Sequence, residues 1–383
     1  MALDLNFLST KLKKYRENFL MTQEELSEKS GIAIDKLNSF EAGVLEPSGD
    51  EILILADIYR CDYKYFISSE SEPDFDKIEQ LFRKHKNDLQ ANDRWAIQEC
   101  IFFAENETFL EQELKNKIQI IDFAYQKEGT FFKKHGYDTA NKLRELLYPS
   151  HHELSLNIYD DFKKIGINIY RRKLENSNIS GITLKHSSIG KFILVNYNED
   201  IFRQRFTVAH EAAHAIFDLD NSDDFLSISK WDKNDLAEIR ANTFASTYLL
   251  PQFVLDSIPE NKLWSSDKLV KWAIELKVSV SALLIALKER NFINDVYYQT
   301  FKHISIPSEY KIDPELKGLS GKTLERKKYL LEKGISQTYI NKCKAAYEKD
   351  IISASKMAEM LLIDINELYE INALFQLGIR YEN

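Results

Sequence analysis

Between residues 5 and 67 the apolar positions fall into five short groups at three- and four-residue spacing, which predicts five amphipathic helices. Leu5 to Phe19 carries Leu8, Leu12 and Tyr15 on one face, with Lys11, Lys13, Lys14 and Arg16 elsewhere. Thr22 followed by Glu25 is a capping box that opens the second helix. Gly31 supplies the turn into a third, from Ile32 to Glu41, whose inner face is Ile32, Leu37 and Phe40. Ala42-Gly43 stops it. Pro47-Ser48 leads into a fourth helix through Ile52, Leu55 and Ile58, and Asp62 to Ile67 closes the group. The polar run from Ser68 to Asp74, with Pro73 in it, reads as a boundary. From Phe75 to about Phe132 three further stripes, around Ile78-Leu81-Phe82, Trp95-Ile97-Ile101-Phe102 and Ile118-Ile120-Ile121-Phe123, predict a helical connector.

From Asp138 the pattern changes. Helices are expected from Ala140 to Leu147 and from Leu154 to Ile165, with Gly166 as a stop. Three strands follow, Ile167 to Tyr170, Ile179 to Leu184 and Lys191 to Asn196, the last two joined by a turn at Ser187 to Gly190. The strand nearest the following helix is expected to present an edge to which an extended peptide could add. Helices return around Phe206 to Phe217, Ala237 to Ala245, Leu269 to Leu276 and Ser279 to Leu287. After an irregular stretch over residues 300–314, four more are expected up to Leu368. The fold class predicted is α+β and predominantly helical, in four parts: residues 1–68, a helical connector 69–129, a mixed domain 130–290 with a small sheet, and a helical region 291–383.

Composition narrows the picture. With 44% hydrophobic and 12% aromatic residues the 383-residue chain can bury real cores, which argues against general disorder. A net charge of −9 confines any nucleic-acid contact to a local face. No apolar run approaches the roughly 20 residues of a membrane helix, and no secretory pattern opens the chain, so the protein is expected to be cytoplasmic. Cys61, Cys100 and Cys343 are odd in number and far apart, and read as buried small hydrophobes rather than disulfides or metal ligands. His85, His135, His151 and His152 lie in polar or turn-like surroundings and read as solvated.

The chemistry is concentrated at His210-Glu211-x-x-His214. Residues four apart share a helix face, so both imidazoles can reach one metal ion, while Glu211 lies about 100° round the helix beside it. Two imidazoles, a carboxylate and an open coordination position hold Zn²⁺ in hydrolases, with a second carboxylate to take a proton from water. Taken alone, the pentapeptide also fits two histidines on a helix flank with no metal. Downstream, Glu238 and Asn242 share another helix face. The assignment that follows makes Glu238 the third ligand and Asn242 the group that fixes the outer nitrogen of one His. A solvated Glu and Asn on a surface helix is the alternative, but it leaves the small residues Ala237, Ala241, Ala245 and Ser246 unexplained.

Two families are resembled. Thr22-Gln23-Glu24-Glu25-Leu26, Gly31-Ile32, Leu37-x-x-Phe40-Glu41-x-Gly43 and Pro47 resemble the Xre/Cro/cI helix-turn-helix repressors. That resemblance implies an operator DNA partner, with Gln23 at a phosphate or base and Asp35, Lys36 and Ser39 facing the groove. Ala33 replaces the usual Ser or Thr cap. Residues 1–68 also hold eight Lys or Arg against twelve Asp or Glu, an unfavourable balance for phosphate. A module that pairs with another copy or another protein is the alternative. Arg205-Phe206-Thr207-x-Ala209-His210-Glu211-x-x-His214-Ala215, Glu238-x-x-Ala241-Asn242-x-Phe244-Ala245 and Leu249-Leu250-Pro251 resemble the ImmA/IrrE zinc metallo-endopeptidases. That resemblance implies a zincin-like domain, with zinc on His210, His214 and Glu238, Glu211 as general base, and an Xre-type repressor or related regulatory protein as substrate. Tyr170, His186 and Tyr197 are candidates for stabilising an oxyanion. The acidic run Asp218 to Asp224 fails the EF-hand pattern and reads as a solvated loop.

The function expected is therefore a cytoplasmic, zinc-dependent peptidase and transcriptional regulator in a phage, mobile-element or stress-response circuit, with homodimerisation left open by the sequence. The alternatives are a DNA-binding factor whose zincin-like domain senses a ligand without cutting, and a toxin–antitoxin-like component acting by protein contact.

Overall fold

The computed structural model describes residues 4–68, 78, 80–82, 85, 87–115, 119–125, 132–149, 153–155, 157–219, 226–228 and 235–378. It divides into two compact units, Met1–Asn106 with Leu174–Asn176, and Glu107–Lys173 with Ser177–Asn383. The apolar stripes map onto a predominantly helical α+β chain, as the periodicity predicts.

The first unit begins with α1 (Leu5–Asn18), α2 (Gln23–Ser30), α3 (Ile34–Glu41), α4 (Gly49–Tyr59) and α5 (Lys64–Ile67). Their apolar faces bury Leu8, Leu12, Tyr15, Leu26, Leu37, Phe40, Leu55 and Tyr59, each contributing about 1.5–3 kcal/mol of transfer free energy. Tyr15 centres the core, its ring 5.2 Å from Tyr59 and 5.1 Å from Tyr65. The expected capping box at Thr22 is present, with Glu25 N–H donating to Thr22 Oγ1 at 3.1 Å and Thr22 N–H to Glu25 at 2.8 Å. Gly31 ends α2 at φ +69°, a left-handed conformation that favours glycine. A second capping box, Ser48 with Glu51, opens α4.

The connector departs from its prediction. One long helix, α6 (Ala91–Glu113), carries the second stripe. Residues 119–125, which hold most of the third stripe, are not helical: Ile121 N–H donates to the Lys164 carbonyl at 2.8 Å, and the Tyr125 ring packs edge-on against Phe217 at 4.5 Å. Ile121, Phe123 and Tyr125 are half-buried at alternate positions while Ile120 is 55% exposed, an arrangement that apolar periodicity alone does not distinguish from a short helix. Residues 69–77 of the boundary lie outside the described residues, as do Ile118, His151 and His152.

The second unit contains α7 (Phe132–Leu147), α8 (Ile158–Lys163), β1 (Ile167–Arg172), β2 (Gly181–His186), β3 (Gly190–Asn196), α9 (Ile201–Phe217), β4 (Leu226–Ile228) and α10 (Leu236–Leu249). The sheet order is β1-β3-β2-β4, with β1 parallel to β3 and β2 antiparallel to both its neighbours. The three expected strands are all present. β2 is nevertheless not an edge: Ile182 to Leu184 pair with Leu226 to Ile228 on the side away from β3. Among the described residues the edge on that side belongs to β4, a three-residue strand too short for its pattern to stand out. α8 is also shorter than expected, because the Ser155 hydroxyl donates to Asp161 and the Ser155 carbonyl accepts from Arg205 at 2.7 Å.

Small residues set the helix packing. A Cβ on Gly136 of α7 would lie 2.4 Å from the Arg240 carbonyl and 3.0 Å from Phe244 N. Thus α10 lies tightly against α7 as well as against α9, where Ala241 and Ala245 are buried. His135, beside that contact, is buried between Phe132 and Tyr125 rather than solvated. Beyond α10 come α11 (Gln252–Ser257), α12 (Ser266–Glu275), α13 (Val280–Glu289), α14 (Asp295–Phe301), α15 (Gly321–Glu332), α16 (Gln337–Tyr347), α17 (Ala354–Met360) and α18 (Leu368–Leu374). Two ionic groups bind this region to the sheet and α6: Arg171 and the Tyr197 hydroxyl meet Asp313, and Lys342 and Lys163 meet Glu107 and Glu111. Among the described residues no helix is long and apolar enough to cross a membrane.

Candidate metal centre

Helix α9 starts at Asp200, whose carboxylate accepts from the N–H groups of Phe202 and Arg203 at 3.1 and 3.0 Å. From Thr207 to Phe217 every residue is buried, so each polar side chain there needs a protein partner or a ligand. Thr207 donates to Glu199 at 3.0 Å. His210, Glu211 and His214 meet the same requirement differently.

His210 Nε2 and His214 Nε2 lie 3.2 Å apart, and the Glu238 carboxylate, carried on α10, lies 3.3 Å from the first and 3.2 Å from the second. Three ligands about 2.0–2.1 Å from a tetrahedral ion stand about 3.3–3.4 Å apart; the two Nε2 atoms come close to that spacing, and Glu238 turns Oε2 to one ring and Oε1 to the other, so the three side chains form a group that could hold such an ion. The outer ring nitrogens support the same reading. His210 Nδ1 is 3.1 Å from Asn242 Oδ1, and His214 Nδ1 is 2.8 Å from Asp218 Oδ2. With Nδ1–H donated to those oxygens, neutral imidazoles turn their Nε2 lone pairs toward each other and toward a carboxylate. Such a group of acceptors needs a cation or a proton between its members. Burial by itself lowers the His214 pKa, but hydrogen bonds to Asp218 and Glu238 and the nearby charges outweigh it and raise the ring to about 10. Burial likewise favours protonating Glu238, and the two histidines overcome it and bring the carboxyl down to about 2.

Glu211 is fully buried beside this cluster. Its Oε2 accepts from the Thr183 hydroxyl at 2.6 Å, while Oε1 has no hydrogen-bond partner among the described residues. An unpartnered, buried carboxylate oxygen next to a metal-type donor set is an acceptor available for a proton.

The helix-turn-helix residues occupy a different setting. Gln23 heads α2 and is half-buried; Asp35 and Lys36 are exposed in the first turn of α3. Lys36 Nζ pairs with Glu51 at 2.6 Å, and the Ser39 hydroxyl donates to the Asp35 carbonyl at 2.7 Å. Of the basic residues on α1, Arg16 makes a two-point bond to Glu41 at 2.8 Å, and Lys11 is buried against the carbonyls of Tyr65 and Ser68. Lys36, Arg16 and Lys11 are thus committed within the unit.

Residues 162–288 match the IrrE N-terminal-like domain family of peptidases. Residues 12–66 match a helix-turn-helix family. No curated protein matches the chain. Both resemblances read from the motifs are borne out, and His210, Glu211, His214, Glu238 and Asn242 all fall within the IrrE-like match.

Three residues of the IrrE-like domain escaped the sequence reading. Asp218 was expected in a solvated loop, but its carboxylate lies between His214 Nδ1 and the Arg240 guanidinium; residues 220–224 of that loop lie outside the described residues. The signal was available, because Asp218 follows His214 by four residues and so shares its face. Arg240 is held over Phe217, 4.4 Å to the ring centre, and Phe132, 5.2 Å. Thr183 reaches Glu211 from the sheet, a contact for which sequence spacing offers no cue. Of the oxyanion candidates, the Tyr197 hydroxyl donates to Asp313 at 3.0 Å, Tyr170 bonds Glu107, and His186 Nδ1 lies 3.1 Å from Ser188 Oγ.

Proposed function

We propose that the IrrE-like domain is a zinc-dependent endopeptidase that cuts an Xre-type repressor or a related regulatory protein, within a cytoplasmic regulatory circuit of the phage, mobile-element or stress-response kind. The observation that carries this reading is the meeting of His210 Nε2, His214 Nε2 and the Glu238 carboxylate within 3.3 Å, next to an unpartnered Glu211 oxygen. When bound, zinc supplies a Lewis acid for a peptide carbonyl and makes water more acidic. His210, His214 and Glu238 hold the ion, and Asn242 fixes the His210 ring through Nδ1. Glu211 takes the proton of the attacking water at Oε1 and delivers it to the leaving amine. The β4 edge offers an extended peptide backbone hydrogen bonds. The test is incubation of the zinc-loaded chain with purified Xre-type repressors. A repressor fragment should form, vanish with a chelator and return with zinc; intact repressors under all three conditions would refute the reading.

For the helix-turn-helix module, operator DNA is one partner and protein is the other. The internal pairing of Lys36, Arg16 and Lys11 favours protein contact, since each paired cation is one fewer for phosphate. An operator gel shift with the same preparation separates the two: a salt-sensitive, sequence-specific shift supports DNA.

A further inference from the structure

We propose that Thr183 and Gly181 form a positioning pair for Glu211, fixing one carboxylate oxygen and pointing the other into the metal centre. The inference rests on the peptidase reading of that centre. Thr183 is fully buried in the middle of β2, paired with Ile193 on one side and Ser227 on the other. It lies in register between two neighbouring strands, so its backbone is committed to the sheet, and only the hydroxyl is left to act on α9. That hydroxyl lies 2.6 Å from Glu211 Oε2 and 3.1 Å from the Glu211 carbonyl. It has one hydrogen, and the shorter contact to the carboxylate takes it.

Gly181, two residues earlier on the same face of β2, sets how close α9 can come. A Cβ there would stand 2.7 Å from Glu211 Cγ, 3.0 Å from Glu211 Cδ and 2.8 Å from Thr207 Cγ2. Both flanking side chains are buried, so neither can swing into solvent to make room. Glycine leaves the Glu211 stem lying against the strand, and Thr183 then holds the far oxygen. The remaining oxygen, Oε1, meets no donor among the described residues. A buried carboxylate gripped at one oxygen and bare at the other has a single direction in which to accept a proton. Because the grip comes from a central strand rather than a loop, that direction is rigid, as proton transfer to a fixed point demands.

The test uses the full chain loaded with cobalt(II), whose visible spectrum reports on the centre, and acetohydroxamate, a chelator that delivers its hydroxyl proton to a neighbouring carboxylate. Wild type, Thr183→Val, Thr183→Ser, Gly181→Ala and Glu211→Gln are compared for cobalt affinity and for acetohydroxamate Kd. Val keeps the shape of Thr and removes only the hydroxyl. Thr183→Val should bind cobalt as wild type does, bind acetohydroxamate about tenfold more weakly, as loss of a hydrogen bond to a charged group predicts, and recover in Thr183→Ser. Gly181→Ala should also weaken acetohydroxamate while keeping cobalt. Acetohydroxamate binding that is unchanged in Thr183→Val and Gly181→Ala, or equally poor in Thr183→Val and Thr183→Ser, overturns the inference. Loss of cobalt in both Thr183 variants overturns it too, by making the residue structural. A wild-type chain that binds no cobalt removes the underlying metal reading instead. A chain that shows the Thr183 pattern but cleaves no repressor keeps the positioning pair and loses only the peptidase.

Discussion

Replacing Asp218 by alanine should weaken zinc binding without touching a metal ligand. The carboxylate lies 2.8 Å from His214 Nδ1 and so favours the tautomer whose Nε2 would face a bound ion. Removing such an outer partner typically costs 10–100-fold in metal affinity, or about 1.4–2.8 kcal/mol at 1.36 kcal/mol per factor of ten. A second loss follows on the other side. Arg240, buried between Phe217 and Phe132, loses its anion. An unpaired buried charge costs about 3–5 kcal/mol when no water reaches it, and the Asp218 side chain is 33% exposed, so water moderates that cost. Asp218→Ala should therefore bind zinc about 10–100-fold more weakly and melt lower even without metal. Asp218→Asn, which keeps an acceptor oxygen, should lie between the two in zinc affinity. Competition against a chromophoric chelator measures the affinity, and calorimetry of the metal-free protein measures the rest. A zinc Kd in Asp218→Ala within about twofold of wild type, well inside the change expected, would refute the reasoning.

Other expectations follow from the packing and ionic groups. Gly136→Ala should destabilise the IrrE-like domain by about 1–3 kcal/mol and weaken zinc binding, because its Cβ meets the Arg240 carbonyl at 2.4 Å and displaces the helix that carries Glu238; denaturant titration and zinc competition check both. Glu107→Gln should cost about 3 kcal/mol in urea unfolding, since it leaves Lys342 and Lys163 short of an anion. Burial favours protonating Glu107, but Lys342 and Lys163 prevail and hold its pKa below the ordinary carboxylate value. Its stabilisation is therefore complete above that ordinary value and lost as pH falls through the lowered one, so wild type should lose stability in acid more steeply than Glu107→Gln. Burial pushes the Cys343 thiol up to about 12. Iodoacetamide at pH 8 should modify half-buried Cys61 and spare buried Cys100 and Cys343 until the chain unfolds, as mass spectrometry of the peptides would show.

The local chemistry of this chain is written plainly in its residues, and the tertiary choices are not. Thr22 with Glu25 marks a helix start, and Gly31 a left-handed stop, because the forces involved act within four residues. The same is true of His210 and His214, whose meeting needs only a helix. Glu238 was legible for a different reason: the small residues around it demand a close neighbour. The sheet edge was misplaced because β4 is three residues long and its pairing with β2 is decided across 40-odd residues of chain. Residues 119–125 carry apolar side chains at a spacing that suits a helix, yet they are bound through Ile121 to Lys164, a contact no window around them contains. His135 was read from polar sequence neighbours and lies instead in an aromatic pocket. Lys36, expected by resemblance to face a groove, and Arg16 and Lys11 of the basic first helix have partners, Glu51, Glu41 and the Tyr65 carbonyl, that appear only once the helices are packed.

The central claim is that Glu211 works as a base beside a metal held by His210, His214 and Glu238. Glu211→Gln keeps the shape of the side chain and removes its charge, so the most direct measurement is the rate at which this variant cuts an Xre-type repressor at a zinc content equal to that of wild type. The account predicts full zinc occupancy with cleavage slowed by about 10²–10⁴-fold, the contribution of a positioned base. Cleavage by Glu211→Gln at the wild-type rate, with zinc verified in both proteins, would contradict it.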